Sequence, residues 1–371
     1  MQPQLPTDDH HDADGAVTAR FWHRLDDGRL QCDLCPHHCR LRDGQRGRCF
    51  VRAREGDRLV LTTYGRASGF CIDPIEKKPL NHLLPGTAVL SFGTAGCNLS
   101  CRFCQNWEIS TSREVDTLAD EAAPADIAAA AEALGCASVA FTYNDPVIFH
   151  EYAVDVAAAC RARGIRTVAV TAGFVEPEPR REFFRAMDAA NIDLKAFTPA
   201  FYRRLCGARL DPVLDTLRDV ARETDVWLEV TTLLIPGHND GDAEVAALAG
   251  WIATELGPDV PLHLTAFYPA HRMTDVPPTP PSTLRRARRT ARSCGLRFVY
   301  TGNVHDVEGG TTCCPGCGQA VIVRDGYTLV RYHLDDHGHC RACGTRLPGV
   351  FDGPAGTWGS RRQPVRIEVA A

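Results

Sequence analysis

Two hydrophobic periods alternate along the chain between about 87 and 300. Short β-rich apolar runs fall at 88–92, 138–142, 167–171, 192–195, 227–232 and 262–266. Longer stretches rich in Ala, Leu and Arg, with helical spacing, separate them at 124–134, 147–163, 180–190, 211–223, 242–256 and 282–294. Repeated strand–helix units predict parallel strands joined by right-handed crossovers. Six units are too few to close an eight-fold barrel. The expected fold class is therefore α/β, an open partial (β/α)6 TIM-like barrel over 87–305, with its chemistry at the C-terminal ends of the strands.

The flanks read differently. Residues 21–86 form a module rich in Cys, Gly and Arg, and 311–350 form a second small module of zinc-ribbon type. Residues 1–20 are acidic, lack the apolar stretch of a signal peptide, and are expected to be a disordered leader. The Gly-, Pro- and Arg-containing segment 352–371 is expected to be a disordered tail. No apolar run approaches the ~20 residues that cross a bilayer. The net charge of −5 over 371 residues gives no general attraction to nucleic acid or to an anionic membrane. A cytoplasmic chain is the expectation.

Seventeen cysteines change that picture, because a reducing compartment disfavours structural disulfides. Cys71, Cys136, Cys160, Cys206, Cys294 and Cys313 are isolated or unpaired, as small buried hydrophobes are. The others fall in three clusters with the spacing of metal ligands.

Cys97, Cys101 and Cys104 form Cys-x3-Cys-x-Phe-Cys in a loop after the first predicted strand. Three thiolates can ligate three irons of a [4Fe–4S] cube and leave the fourth open to a small molecule. S-adenosylmethionine offers its amino and carboxylate groups for such a position. The alternative is a zinc site completed by another ligand. Phe103 can stack on an adenine or cover the cluster from water. Asn144 and Asp145, in the run TYNDP after the second strand, put an amide and a carboxylate at the barrel mouth to accept from an amino group, or else cap the next helix. Asp193 and Lys195 share a face at the end of the fourth strand, where Lys195 can meet a carboxylate or form a structural ion pair. Glu229 and His263 are weaker candidates, His263 reading more naturally as a satisfied core histidine. Thr171-Ala172-Gly173 offers small residues where a ligand can approach backbone.

Cys314, Cys317, Cys340 and Cys343 are paired Cys-x2-Cys-Gly knuckles, the spacing of a structural zinc ribbon. Cys32, Cys35, Cys39 and Cys49 can hold either zinc or a second iron–sulfur cluster, with His37 and His38 as further possible ligands. The arginines of 282–294 (Arg285, Arg286, Arg288, Arg289 and Arg292) form a solvated basic face or a docking surface for nucleic acid or an acidic partner.

Taken together these residues resemble the radical SAM superfamily. The runs DPIEKKPL at 73–80, GC at 96–97 through CQN at 104–106, YNDP at 143–146, DLK at 193–195, IPGHND at 235–240 and YTGNV at 300–304 resemble more narrowly the AmmeMemoRadiSam-system radical SAM enzymes, relatives of pyruvate formate-lyase activating enzyme. The resemblance covers roughly 21–350. It implies reductive cleavage of S-adenosylmethionine at a [4Fe–4S] cluster, an external electron donor, and Asp145 with Asp193 and Lys195 as cofactor contacts. It also implies Memo-like and AMMECR1-like proteins as candidate partners. Glycyl-radical activation is an alternative, though Asp145 and Thr171-Ala172-Gly173 depart from the Glu and Thr-Asn-Gly of those activases. A metal-stabilised nucleic-acid or protein binding module is the alternative of another class.

Overall fold

The computed structural model of the chain describes residues 17–113 and 120–367. Its main sheet begins with β1 (Arg66–Pro74) and continues through β2 (Ala88–Gly93), β3 (Ser138–Phe141), β4 (Arg166–Thr171), β5 (Ala189–Asp193), β6 (Trp227–Leu234), β7 (Leu262–Ala266) and β8 (Val299–Gly302). β1 is antiparallel to β2, and every later pair is parallel. Each strand lies beside the next in sequence. The chain therefore winds one way round without the order reversal of a doubly wound sheet, which makes an open partial barrel.

Helices α1 (Pro124–Ala133), α2 (His150–Arg161), α3 (Pro177–Arg185), α4 (Asp211–Glu223), α5 (Asp242–Glu255) and α6 (Pro281–Ser293) supply the crossovers. Their inward faces follow helical spacing: Val213, Leu217 and Val220 on α4, Leu284, Ala287 and Ala291 on α6. These join Leu90, Phe92, Phe141, Ile192, Val230 and Leu264 of the strands in one continuous apolar core. Strands covered on both faces are mostly apolar, which is why their runs stand out in the sequence.

The structure corrects several expectations. The fourth strand is Ala189–Asp193, not 192–195, and the preceding helix ends at Arg185, not 190. Ala189 and Ala190 have high helix propensity, but their backbone pairs with β4 and β6, and tertiary pairing wins. A seventh parallel strand, β8, follows the six expected; with four residues and a terminal glycine it carries little periodicity. Residues 17–18, placed in the disordered leader, form a strand against Arg58–Leu61; residues 1–16 lie outside the described residues. The expected disordered tail is ordered as far as 367. Gln363–Pro364 pairs with Ile72 and Cys71 of β1, and Ile367 is buried. Backbone ladder bonds and apolar burial fix a segment whose composition alone reads as loop.

Two small three-stranded sheets occupy 17–61, and β1 carries the chain from them into the barrel. The C-terminal ribbon is built on Thr312–Cys313, Ala320–Asp325 and Thr328–Tyr332. Among the described residues no helix is long and apolar enough to cross a membrane.

Candidate active site

A cavity of about 580 Å³ opens at the C-terminal ends of the parallel strands. Cys97, Cys101, Phe103, Cys104, Asn144, Asp145, Asp193 and Lys195 all line it. The structure thus gathers from three loops the residues singled out for cluster and cofactor.

The cysteine loop is held from behind. Asn144 Nδ2 donates to the carbonyl of Gly96 (2.9 Å) and to Thr94 Oγ1 (3.2 Å), while its Oδ1 accepts from the Thr94 amide (3.3 Å). Gly93 permits this approach, because a Cβ there would overlap the carbonyl of Thr142 and the Asn144 amide. Asn144 therefore braces the loop that carries Cys97. Asp145 is fixed equally firmly: Oδ1 accepts from Thr171 Oγ1 (2.9 Å) and the Val147 amide (3.1 Å), Oδ2 from the Ala172 amide (3.0 Å). It caps the short helical turn Pro146–Phe149 and ties β3 to β4. Burial pushes its carboxyl above the usual range, against the pull of these donors. Its helix-cap reading is thus a fact of the structure, and the residue also lies on the cavity wall.

Lys195 lies two residues beyond β5, and its ammonium contacts Asp193 Oδ2 at 2.6 Å. Burial works to lower its pKa, but Asp193 and the neighbouring thiols prevail and hold it well above the ordinary value. Phe103 is buried, with its ring 5.6 Å from that of Phe201. Gly173 packs against Ile192 at a positive φ of 65°, leaving Thr171 and Ala172 to line the cavity.

Glu229 and His263 form a structural hub. Glu229 accepts from the amides of Asn81 (2.9 Å) and His82 (2.8 Å), from Trp227 Nε1 (2.9 Å), and meets His263 Nε2 at 2.6 Å. His263 is the satisfied core histidine that its apolar strand suggested.

Other residues around the cavity were not singled out individually by the sequence. Asp73, ringed by Lys78 Nζ (2.6 Å), Lys77 Nζ (2.9 Å) and the hydroxyl of Tyr143 (3.3 Å), fixes one wall. Tyr143 sits at φ 74°, a conformation that a bulky residue adopts only when its surroundings hold it there. Arg324 and Tyr327 come from the ribbon and Arg362 from the tail. Only the run DPIEKKPL hinted at this wall. Cys206, isolated in sequence, lies beside Cys101, and contact with its thiol, together with burial, pushes the Cys101 thiol well up.

The four ribbon cysteines converge. Cys314 and Cys343 sulfurs are 3.5 Å apart, Cys317 and Cys340 3.8 Å, and all four lie within 4.8 Å of one another. A tetrahedral ion with metal–sulfur bonds near 2.3 Å needs sulfurs ~3.8 Å apart, so the set is arranged to hold one metal ion. Among the described residues it is the one group of three or more ligating atoms drawn so close. The central triplet is wider and faces open space. Burial pushes the thiols of Cys97 and Cys104 up, a penalty that a cationic cluster reverses. Three soft donors around a roomy cavity, with no carboxylate or imidazole among the described residues completing a tetrahedron, fit a cube with one open iron.

On the basic helix α6, Arg286 pairs with Asp242 (2.7 Å), Arg288 with Glu308 (3.1 Å) and the carbonyl of Val299, and Arg285 lies 3.7 Å from Asp306, so three of its five arginines have acidic partners, while Arg289 and Arg292 stay on the solvent face.

Residues 92–249 match the family model described as the radical SAM superfamily. The chain is 38% identical over 334 residues, 90% of its length and 99% of the other, to the uncharacterized protein MJ0808 of Methanocaldococcus jannaschii. It is 29% identical over 110 residues to the isethionate sulfite-lyase activating enzyme of Desulfovibrio desulfuricans, covering 29% of this chain and 35% of that one. Among solved structures, a domain of pyruvate-formate lyase-activating enzyme from Bacteroides vulgatus aligns with TM-score 0.40 and 20% identity, over 45% of this chain and 99% of that one. A radical SAM methyltransferase from Sphaerobacter thermophilus aligns with TM-score 0.45 and 14% identity, over 82% and 80%. The fold is an open α/β barrel with a cysteine triplet on the cavity at its strand ends. The chain belongs to the radical SAM superfamily. Its members are enzymes, and the family implies a [4Fe–4S] cluster, S-adenosylmethionine as co-substrate and an electron donor.

Proposed function

We propose that Cys97, Cys101 and Cys104 hold the [4Fe–4S] cluster and that the 580 Å³ cavity binds S-adenosylmethionine together with the substrate. When bound, the cluster supplies an electron that splits the C5′–S bond of S-adenosylmethionine and yields a 5′-deoxyadenosyl radical for hydrogen abstraction. The observation that carries the reading is the placement of three thiols and the Lys195–Asp193 pair on one cavity at the strand ends.

The protein's own work is to position and to exclude water. Lys195, charged and steered by Asp193, is placed to receive a carboxylate. Asp145, rigid between β3 and β4, presents carboxylate oxygens to an amino group. Phe103 forms an apolar wall for an adenine. Asn144 keeps the cysteine loop in register. Arg324 and Tyr327 bring the ribbon against the cavity, so ribbon and barrel enclose the substrate jointly. We assign zinc to Cys314, Cys317, Cys340 and Cys343, as a structural site.

Protein purified and reconstituted without oxygen should convert S-adenosylmethionine to methionine and 5′-deoxyadenosine under reductant. Cys101→Ala should abolish that conversion; retention of the activity by the variant overturns the assignment. The similarity to the isethionate sulfite-lyase activating enzyme supports a second reading, in which the hydrogen comes from a backbone glycine of a partner protein. A paramagnetic resonance doublet on that partner would separate the two. Memo-like and AMMECR1-like proteins enter through the sequence resemblance alone and are no part of this proposal.

A further inference from the structure

The N-terminal cysteines form a built site on the back of the central cysteine loop. Cys32, Cys35, Cys39 and Cys49 line one small enclosed void, whose other walls are Leu34, Gly47, Arg48, Arg52 and Ile148. Cys32, Cys35 and Cys49 are buried and none of the four is in a disulfide. Gly47 sits between two of the sulfurs: a Cβ there would lie 3.7 Å from both Cys39 and Cys49. The Arg48 amide points at Cys39 Sγ (3.4 Å). Of the neighbouring imidazoles, His37 Nε2 bonds the carbonyl of Asn98 (2.7 Å) and His38 Nε2 meets Glu176 (3.2 Å), so these two ring nitrogens are engaged away from the thiols.

Metal type follows from spacing and burial. The ribbon sulfurs close to tetrahedral-ion distances on knuckles with two buried and two exposed cysteines, whereas no three of the N-terminal sulfurs lie within 4.8 Å of one another. Four soft donors set wider than one ion needs, around a mostly buried void with the Arg52 guanidinium beside them, suit a multi-iron cluster.

Position supplies the role. A Cβ at Gly96 would collide with the carbonyl of Cys49, so the two cysteine loops touch backbone to backbone one residue from Cys97. His37 bonds Asn98, and Arg48 donates to Ser100 Oγ (3.1 Å). Each N-terminal partner thus meets the central loop beside one of its ligands.

We propose that Cys32, Cys35, Cys39 and Cys49 hold a second iron–sulfur cluster that relays single electrons to the central one. A low-potential one-electron protein donor reduces the second cluster, which returns to its oxidised state as the central cluster gains that electron. No proton or ligand is exchanged. The relay rests on the central cluster proposed above, and the test keeps the two apart.

Iron, sulfide and zinc are measured on anoxically purified wild type, on Cys97→Ala/Cys101→Ala/Cys104→Ala, and on Cys39→Ser, which changes the one partly exposed ligand. The expected result is ~8 irons and sulfides in wild type and ~4 in the triple variant. Wild type with ~4 irons that the triple variant loses, and with two zincs, overturns the second cluster and leaves the central reading standing. About 4 irons that persist in the triple variant and fall in Cys39→Ser support the second cluster and overturn the central one. For the relay, Cys39→Ser at matched central iron should cleave S-adenosylmethionine at least ~10-fold more slowly with a flavodoxin-type donor and within ~2-fold of wild type with dithionite. Equal rates with the protein donor overturn the relay.

Discussion

Asn144 shows how a residue can govern a reactive loop without being drawn to the reactants. Its amide satisfies one buried carbonyl, one hydroxyl and one amide of the stretch Thr94–Gly96. Asn144→Ala leaves these groups unpaired in a dry site, which costs about 1–3 kcal/mol. The urea midpoint should fall accordingly, and iron should be lost faster to a chelator than from wild type, while Asn144→Asp, which keeps an acceptor for the Thr94 amide, should lose less. Sequence exposed Asn144 as a candidate because it follows a strand, but it gave no means to tell a ligand contact from a brace. That distinction depends on where Gly93 and Gly96 allow backbone to pass, and such distances belong to the folded chain.

At the scale of elements, the buried Glu229 joins β6 to β7 and to the turn after β1. Burial raises its pKa, but His263 and the other donors outweigh that and bring it down to about 2 from an ordinary 4.5. A carboxylate depressed on folding stabilises fully above its unfolded value and loses that contribution as pH falls through the folded one. Glu229→Gln should therefore lose roughly 3 kcal/mol at neutral pH, and the gap to wild type should shrink between about pH 4.5 and 2. Denaturant titrations of both proteins across that range check the sign; a gap that widens on acidification contradicts it. The strands from β2 to β7 were legible because each is a short, mostly apolar run buried on both faces. The β5 boundary and β8 were not, since Ala-Ala favours helix locally and a four-residue strand has no period to show.

Across the whole molecule, one buried cation fastens ribbon to barrel. Arg324, 2% exposed, donates to the carbonyl of Asn81 (2.7 Å) and lies 3.5 Å from Glu76. Arg324→Met strands the Glu76 carboxylate in the interior and should destabilise the chain by about 3–5 kcal/mol. Amide exchange should quicken in 81–86 and across the ribbon strands, with the far strands of the barrel unchanged. Composition announced the ribbon's four cysteines, because metal spacing is local. It was silent about Arg324, Tyr327 and Arg362, whose place at the cavity depends on how the flanking modules return to the barrel.

The edge strand β1 is shielded by two very short pieces, Asp120–Glu121 at its start and Gln363–Pro364 at its end. An acidic pair and a proline are poor templates for further pairing, so they seal the margin without extending it. Proteolytic clipping near Gly353 would lift the second piece away and bare the stretch Phe70–Ile72, and nicked preparations would then stick to one another along that seam.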